Sequence, residues 1–186
     1  MEFKKIQLNG FKSFAEKTNF LIEDGLTGIV GPNGCGKSNI VESLRWVMGE
    51  TSAKSMRGSG MEDVIFSGTS NKASKNIAEV SVEVENKHKE GPIQYRELEQ
   101  IQVRRKIEKD KGSKFYINDK EVRARDAQMF FADLSTGAHS PSMISQGRIG
   151  ALVTAKPTDR RAILEEAAGI SGCLLYTSPS PRDSFR

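Results

Sequence analysis

The sequence predicts an α/β fold in which a mixed sheet, with an antiparallel meander, surrounds one helix that begins in a glycine-rich loop. The short apolar run Leu26–Val30 leads into this loop, and apolar residues at helical spacing follow it as far as Gly49. Apolar and polar residues alternate along Ala78–Glu85 and again along Ile101–Ile107, as in half-buried strands. These three patterns together favour a sheet packed on the loop helix.

The other elements follow from turn residues and periodicity. Met1–Phe14 is compatible with a strand and a turn at Asn9-Gly10, and Thr18–Ile22 alternates as a second strand. Thr51–Gly60 is small, basic and glycine-rich, which predicts an exposed loop. After the meander we expect a strand at 114–118 and helices at 126–134, 146–153 and 159–168.

The glycine-rich loop has the spacing of a Walker A motif, because Gly31 and four further residues precede Gly36-Lys37-Ser38. Its glycines let consecutive backbone N–H groups face phosphate oxygens, and the following helix directs its positive end to the same point. Lys37 would reach the β- and γ-phosphates, and the Ser38 hydroxyl would bind Mg²⁺. The loop therefore predicts an ATP or GTP site.

Composition constrains the function less closely than the loop motif does. The net charge of +4 over 186 residues permits contact with nucleic acid without requiring it. Cys35 and Cys173 lie far apart and lack metal-ligand spacing, which fits a reducing compartment. The sequence shows neither an apolar stretch of about 20 residues nor a signal-peptide pattern. We therefore expect a cytoplasmic protein without a membrane partner.

Five segments, in order and at similar spacings, resemble the N-terminal head of bacterial SMC proteins, the chromosome-segregation and condensation ATPases. The resemblance runs from Met1 to Gly172, with Cys35 in place of a more usual serine inside the loop. The segments are Gly10–Phe14, Gly31–Glu50, Ala53–Gly68, Ile144–Ile149 and Asp159–Gly172.

The resemblance implies an ABC-type head built from both ends of a long chain. Residues 1–157 would form its N-terminal half and 158–172 a helix leading toward a coiled coil. The Walker B Asp-Glu pair and the signature motif would come from a C-terminal half, after a coiled coil and a hinge. No apolar run ending in Asp-Glu follows the loop here, and Leu134–Gly137 only faintly resembles a signature. This chain alone is therefore expected to bind ATP without hydrolysing it.

Site residues are carried over from the resemblance position by position. Lys37 and Gln146 are expected to act in catalysis, and Ser38 and Gln146 to bind Mg²⁺. Lys12 and Ser13 match a position near the phosphates and ribose. Arg57 matches an arginine that couples nucleotide to DNA. The complete nucleotide-binding set is Gly31, Pro32, Asn33, Gly34, Cys35, Gly36, Lys37, Ser38, Asn39, Lys12, Ser13 and Arg57.

The resemblance also implies partners. They are double-stranded DNA bound without sequence specificity, a second SMC head joined through the hinge, the C-terminal half of the same head, and a kleisin-type subunit. The protein would then be associated with the nucleoid. Basic residues around one hairpin could follow a DNA backbone or be merely solvated: Arg104, Arg105, Lys106, Lys109, Lys111 and Lys114.

Two points stay open at the level of sequence. Residues 173–186 resemble the translation of a transposon-type sequencing adapter, and the alternative is a disordered tail with Ser-Pro steps. The function could also be that of a DNA-repair coiled-coil ATPase, a small P-loop kinase or a nucleotide-binding regulator. The Ile144–Ile149 and Glu165–Gly172 segments disfavour the repair ATPase, and the antiparallel meander disfavours the kinase.

Overall fold

The computed structural model describes residues 1–87, 89, 92–134, 153–158, 160, 161 and 164. Within them, six strands form one sheet in the order β2-β1-β3-β4-β5-β6, and every neighbouring pair is antiparallel. This confirms the predicted α/β fold with an antiparallel meander. The strands are β1 Glu2–Asn9, β2 Thr18–Leu21, β3 Ile77–Glu85, β4 Gln100–Glu108, β5 Gly112–Ile117 and β6 Lys120–Val122.

Two α-helices pack on this sheet. Helix α1 (Lys37–Val47) contacts β3 and β4, and helix α2 (Ala124–Asp133) contacts β5. Helix α1 ends as predicted, because Gly49 takes the left-handed φ of 104° that favours glycine after a helix. No helix in the described part of the chain is long and apolar enough to span a bilayer.

The core lies between the helices and one face of the sheet. Alternation along β3 and β4 directs every second side chain inward, so that Val82 lies opposite Val103 and Val84 opposite Ile101. Trp46 of α1 is fully buried, and its ring centroid lies 5.5 Å from that of Phe11. The sheet thereby fixes the position of the glycine-initiated helix.

Arg105 is a charged residue inside this core. It is 3% exposed, and its guanidinium lies over the Trp46 ring at 4.5 Å and the Phe115 ring at 4.6 Å. Its Nη1 donates to the carbonyl oxygens of Trp46 (2.7 Å) and Glu50 (2.6 Å), and its Nε donates to Ser113 Oγ at 2.7 Å. Burial lowers the pKa of Arg105 to about 10, so the side chain keeps its charge at neutral pH. Arg105 therefore joins β4 to the C-terminal end of α1.

Two expectations about local structure are wrong. Leu26–Val30 is not a buried strand, because it pairs with no strand of the described residues and leaves Leu26 99% and Val30 94% exposed. Thr51–Gly60 is not a wholly exposed loop, since it contains a 3-10 turn at Lys54–Met56 and places Met56 in the core at 1% exposure.

Some predicted elements fall on residues outside the described ones. These are the helix at 146–153 apart from its last residue, most of the helix at 159–168, and the tail at 173–186.

Candidate nucleotide-binding site

The glycine-rich loop lies on the surface at the start of α1. Gly31 through Cys35 are exposed, and the backbone turns through positive φ at Gly34 (85°) and Gly36 (98°). Gly36 is the N-cap of α1, no side chain caps the helix, and its first turn contains no acidic residue. The positive end of an 11-residue helix is therefore available to an anion.

Lys37 spans the loop from the first residue of α1. Its Nζ donates to the carbonyl oxygen of Gly31 and, at 2.7 Å, to that of Pro32. The Sγ of Cys35, an exposed free cysteine, lies 4.0 Å from the same Nζ. The ammonium group thus lies within the loop's curve, where a bound phosphate chain would place negative charge.

At two glycine positions of the loop, a side chain would displace a neighbouring side chain. A Cβ on Gly36 would lie 2.6 Å from Ser13 Oγ, and one on Gly31 would lie 2.8 Å from Cys35 Sγ. Ser13 also accepts a 2.9 Å hydrogen bond from Asn39 Nδ2. The turn after β1 therefore packs directly on the loop, which brings Ser13, Gly36 and Asn39 of the predicted set together.

Lys12 and Arg57, both predicted to act at this site, meet at Glu42. Lys12 Nζ donates to Glu42 Oε2 and to the Met56 carbonyl oxygen at 2.5 Å. Arg57 Nε lies 2.8 Å from Glu42 Oε1. Sequence reasoning missed Glu42, although a glutamate between the apolar residues of an amphipathic helix is a signal that a cation must reach it.

The loop fits a polyphosphate. Its positive φ values, uncapped helix end and lysine are the features that receive phosphate oxygens. Ser38, exposed at the second position of α1, offers a hydroxyl to Mg²⁺. Among the described residues no three His, Cys, Asp or Glu side chains gather as metal ligands. Among the described residues, Ser38 is the predicted Mg²⁺ ligand, and phosphate oxygens and water would add further ligands. The other predicted ligand, Gln146, lies outside the described residues.

Four of the six basic residues of the hairpin are buried or ion-paired. Arg105 is buried, so its inclusion among surface cations was wrong. Arg104 pairs with Asp119 at 2.8 Å, Lys111 with Glu108 at 2.7 Å and Lys114 with Glu121 at 3.1 Å. Since these pairs neutralise much of the hairpin's charge, its contact with DNA stays a prediction.

Comparison with known proteins agrees with this geometry. Residues 2–148, which include the loop, all six strands and both helices, match the RecF/RecN/SMC N terminal domain family. The chain belongs to this family. The match decides against a metabolite kinase, because it covers the antiparallel meander as well as the loop.

Its relatives include chromosome partition proteins and SMC heads. The chain is 55% identical over 172 residues to the "Chromosome partition protein Smc" of Cereibacter sphaeroides, covering 92% of this chain and 15% of that protein. It superposes with a TM-score of 0.84 at 30% identity on an SmcHead solved bound to the C-winged helix domain of ScpA, covering 92% of this chain and 52% of that one. Another match is a chain solved in a study of ATP-driven dimerization of SMC ATPases. The superposition covers 90% of this chain and 99% of that one, with a TM-score of 0.76 and 30% identity. The sequence thus corresponds to the N-terminal head segment of SMC proteins.

Proposed function

We propose that this chain is the ATP-binding half of an SMC ATPase head. One observation carries the proposal: the uncapped start of α1 lies behind a glycine loop that Lys37 spans. Lys37 would neutralise the β- and γ-phosphates, and Ser38 would hold Mg²⁺, which supplies positive charge to the phosphate oxygens. Gln146 would complete the metal site and orient the attacking water.

The remaining residues of the proposed site shape the loop. Ser13 lies against Gly36 and hydrogen-bonds Asn39, so it fixes the turn on which the phosphates would rest. Arg57 is 66% exposed at its side chain and can reach an anion in solution. Lys12 supports the site through its hydrogen bonds to Glu42 and to the Met56 carbonyl oxygen. It would have to release them in order to contact a phosphate.

A C-terminal half of the head would complete the sheet on which the loop rests. Leu26 and Val30 lead into the loop as exposed apolar residues, although apolar runs of this kind are ordinarily buried. Leu21 is 65% exposed on β2, an edge strand of the described sheet. We infer that strands of the C-terminal half pair with Leu26–Val30 and cover it.

This inference predicts the behaviour of the chain in solution. Alone, at rising concentration, it should self-associate through the exposed apolar run. Co-expression with a C-terminal head segment of the Cereibacter sphaeroides Smc should give a soluble one-to-one complex. Size-exclusion chromatography with light scattering measures both outcomes. Leu26→Ser with Val30→Ser should reduce self-association and also weaken the complex, whereas serine at exposed Ile93, remote in sequence, should do neither. A chain that stays monomeric and does not bind the C-terminal head segment would overturn the half-head proposal.

We infer a cellular role that is consistent with the family. Two heads would engage with ATP between them, and hydrolysis would separate them, which would drive DNA entrapment or loop extrusion during chromosome condensation and segregation. The heads would belong to a homodimer joined at the hinge. A kleisin-type subunit is proposed because a related SmcHead was solved with a domain of ScpA. Double-stranded DNA would be bound without sequence preference, in the cytoplasm at the nucleoid.

A further inference from the structure

Glu42 is a buried carboxylate that two cations share. It is 5% exposed on α1, five positions after Lys37. Lys12 contacts one of its oxygens and Arg57 contacts the other. A carboxylate removed from water needs a cationic partner, but one partner suffices to balance its charge. The second cation is therefore not needed to balance the charge of Glu42.

The two contacts differ in strength. The Lys12 side chain is 15% exposed, and its ammonium group is hydrogen-bonded to both Glu42 and the Met56 carbonyl. The Arg57 side chain is 66% exposed, and Glu42 Oε1, though 2.8 Å from Arg57 Nε, has no aligned hydrogen bond. A misaligned contact whose cation is mostly exposed contributes less to stability than an aligned contact between buried groups. Arg57 is thus the cation that can leave at low cost.

Lys12 and Arg57 both have an unusual backbone conformation. Lys12 has a φ of 46° and Arg57 a φ of 55°, in the left-handed region that few residues other than glycine adopt. Such strain persists where the surrounding structure holds it, often at functional sites. Lys12 also precedes Ser13, which touches Gly36 of the phosphate loop. The Glu42 cluster is therefore in direct structural connection with the proposed nucleotide site.

We propose that Glu42 is a positioning residue for Arg57. It holds the guanidinium in a resting position and yields it to a phosphate of the nucleotide, while Lys12 stays on the carboxylate. Glu42 and the phosphate thus compete for one arginine. This inference rests on the proposed function, since it takes the competing anion to be the nucleotide in the Gly31–Asn39 loop.

The test is a double-mutant cycle in nucleotide affinity. The 186-residue chain, at submicromolar concentration, is titrated with fluorescent N-methylanthraniloyl ATP and Mg²⁺. Glu42→Gln removes the competing charge and should tighten binding by about two- to fivefold, the range for release of an exposed ion pair. Arg57→Ala should weaken binding. Adding Glu42→Gln to Arg57→Ala should then change nothing, because the competition acts only through the arginine.

Other results of these titrations would overturn this proposal or the proposed function. No gain from Glu42→Gln, or an equal gain without Arg57, would overturn the proposal in favour of a structural role or a general charge effect. A gain with a short DNA duplex but not with nucleotide would overturn the assignment of the competing anion. Glu42→Asp keeps the negative charge on a shorter side chain, and we expect it to weaken the misaligned Arg57 contact more than the hydrogen-bonded Lys12 contact. It should give the same Arg57-dependent gain and serves if thermal melting shows that Glu42→Gln is unfolded. Lys37→Ala separates the two proposals. Unchanged nucleotide binding in that variant refutes the proposed function and this inference with it, whereas weakened binding in Lys37→Ala together with no gain from Glu42→Gln refutes this inference alone.

Discussion

Steady-state ATP hydrolysis is expected only when a C-terminal head segment joins this chain, at a rate at least about 100-fold above that of the chain alone. The reason is chemical. The sequence contains no apolar run ending in Asp-Glu after the loop and no complete signature motif, so we expect a C-terminal head segment to supply the groups that activate water and close on the phosphates. Each such group contributes a factor of roughly 10²–10³ to the rate.

The measurement is phosphate release by the chain, by the Cereibacter sphaeroides C-terminal segment, and by the two co-expressed. Lys37→Ala in this chain should abolish the activity of the complex and serves as the control for contaminating ATPases. Turnover by this chain alone that Lys37→Ala removes would show that the whole catalytic site is present here, contrary to the half-head proposal.

Replacing Arg105 by alanine should lower the free energy of unfolding by about 3–5 kcal/mol, as expected when one member of a buried charged network is removed. The substitution leaves the carbonyl oxygens of Trp46 and Glu50 without their 2.7 and 2.6 Å donors. It also removes the cation that lies between the Trp46 and Phe115 rings. Because Trp46 is the only tryptophan of the chain, its fluorescence follows urea unfolding directly.

Arg104→Ala is the matched control for this experiment. The neighbouring arginine lies on the opposite face of β4, where it pairs with Asp119 at 2.8 Å and stacks on Tyr116 at 4.7 Å. Its pairs are partly exposed, so the loss should stay below about 1 kcal/mol. Arg105→Lys should be intermediate, since an ammonium keeps the charge but cannot serve three acceptors in the same plane. Equal losses from Arg104→Ala and Arg105→Ala would contradict the structural role assigned to Arg105.

Strands β1, β3, β4 and β5 and helix α1 could be predicted because their burial follows the local period of apolar residues. Each of these segments presents an apolar face, and the described sheet and helices cover it. Arg105 could have been found in the same way. It occupies the inward position of the series Ile101, Val103, Arg105 and Ile107, but its charge led to an interpretation as part of a surface hairpin. The period of a strand is a stronger indicator of burial than the charge of one residue.

Other features could not be read from local sequence. Leu26–Val30 has the composition of a buried strand, yet whether it is buried depends on strands that the described residues do not supply. The meeting of Lys12, Glu42 and Arg57 joins three segments distant in sequence. Periodicity could only have indicated that Glu42 needed a cation, without indicating which. The turn of the loop and the start of α1 were predictable, because both follow from nine consecutive positions, Gly31–Asn39, while the binding roles of these residues stay predictions.

Nucleotide affinity tests the central claim most directly. Isothermal titration of the 186-residue chain with ATP and Mg²⁺ should show one site per chain. Lys37→Ala should weaken binding by at least about tenfold, the value of one charge-assisted contact to phosphate. Lys111→Ala, which removes a lysine 71% exposed in the hairpin, should leave the affinity unchanged. Binding that both variants reduce equally, or that neither reduces, would contradict a nucleotide site in the Gly31–Asn39 loop.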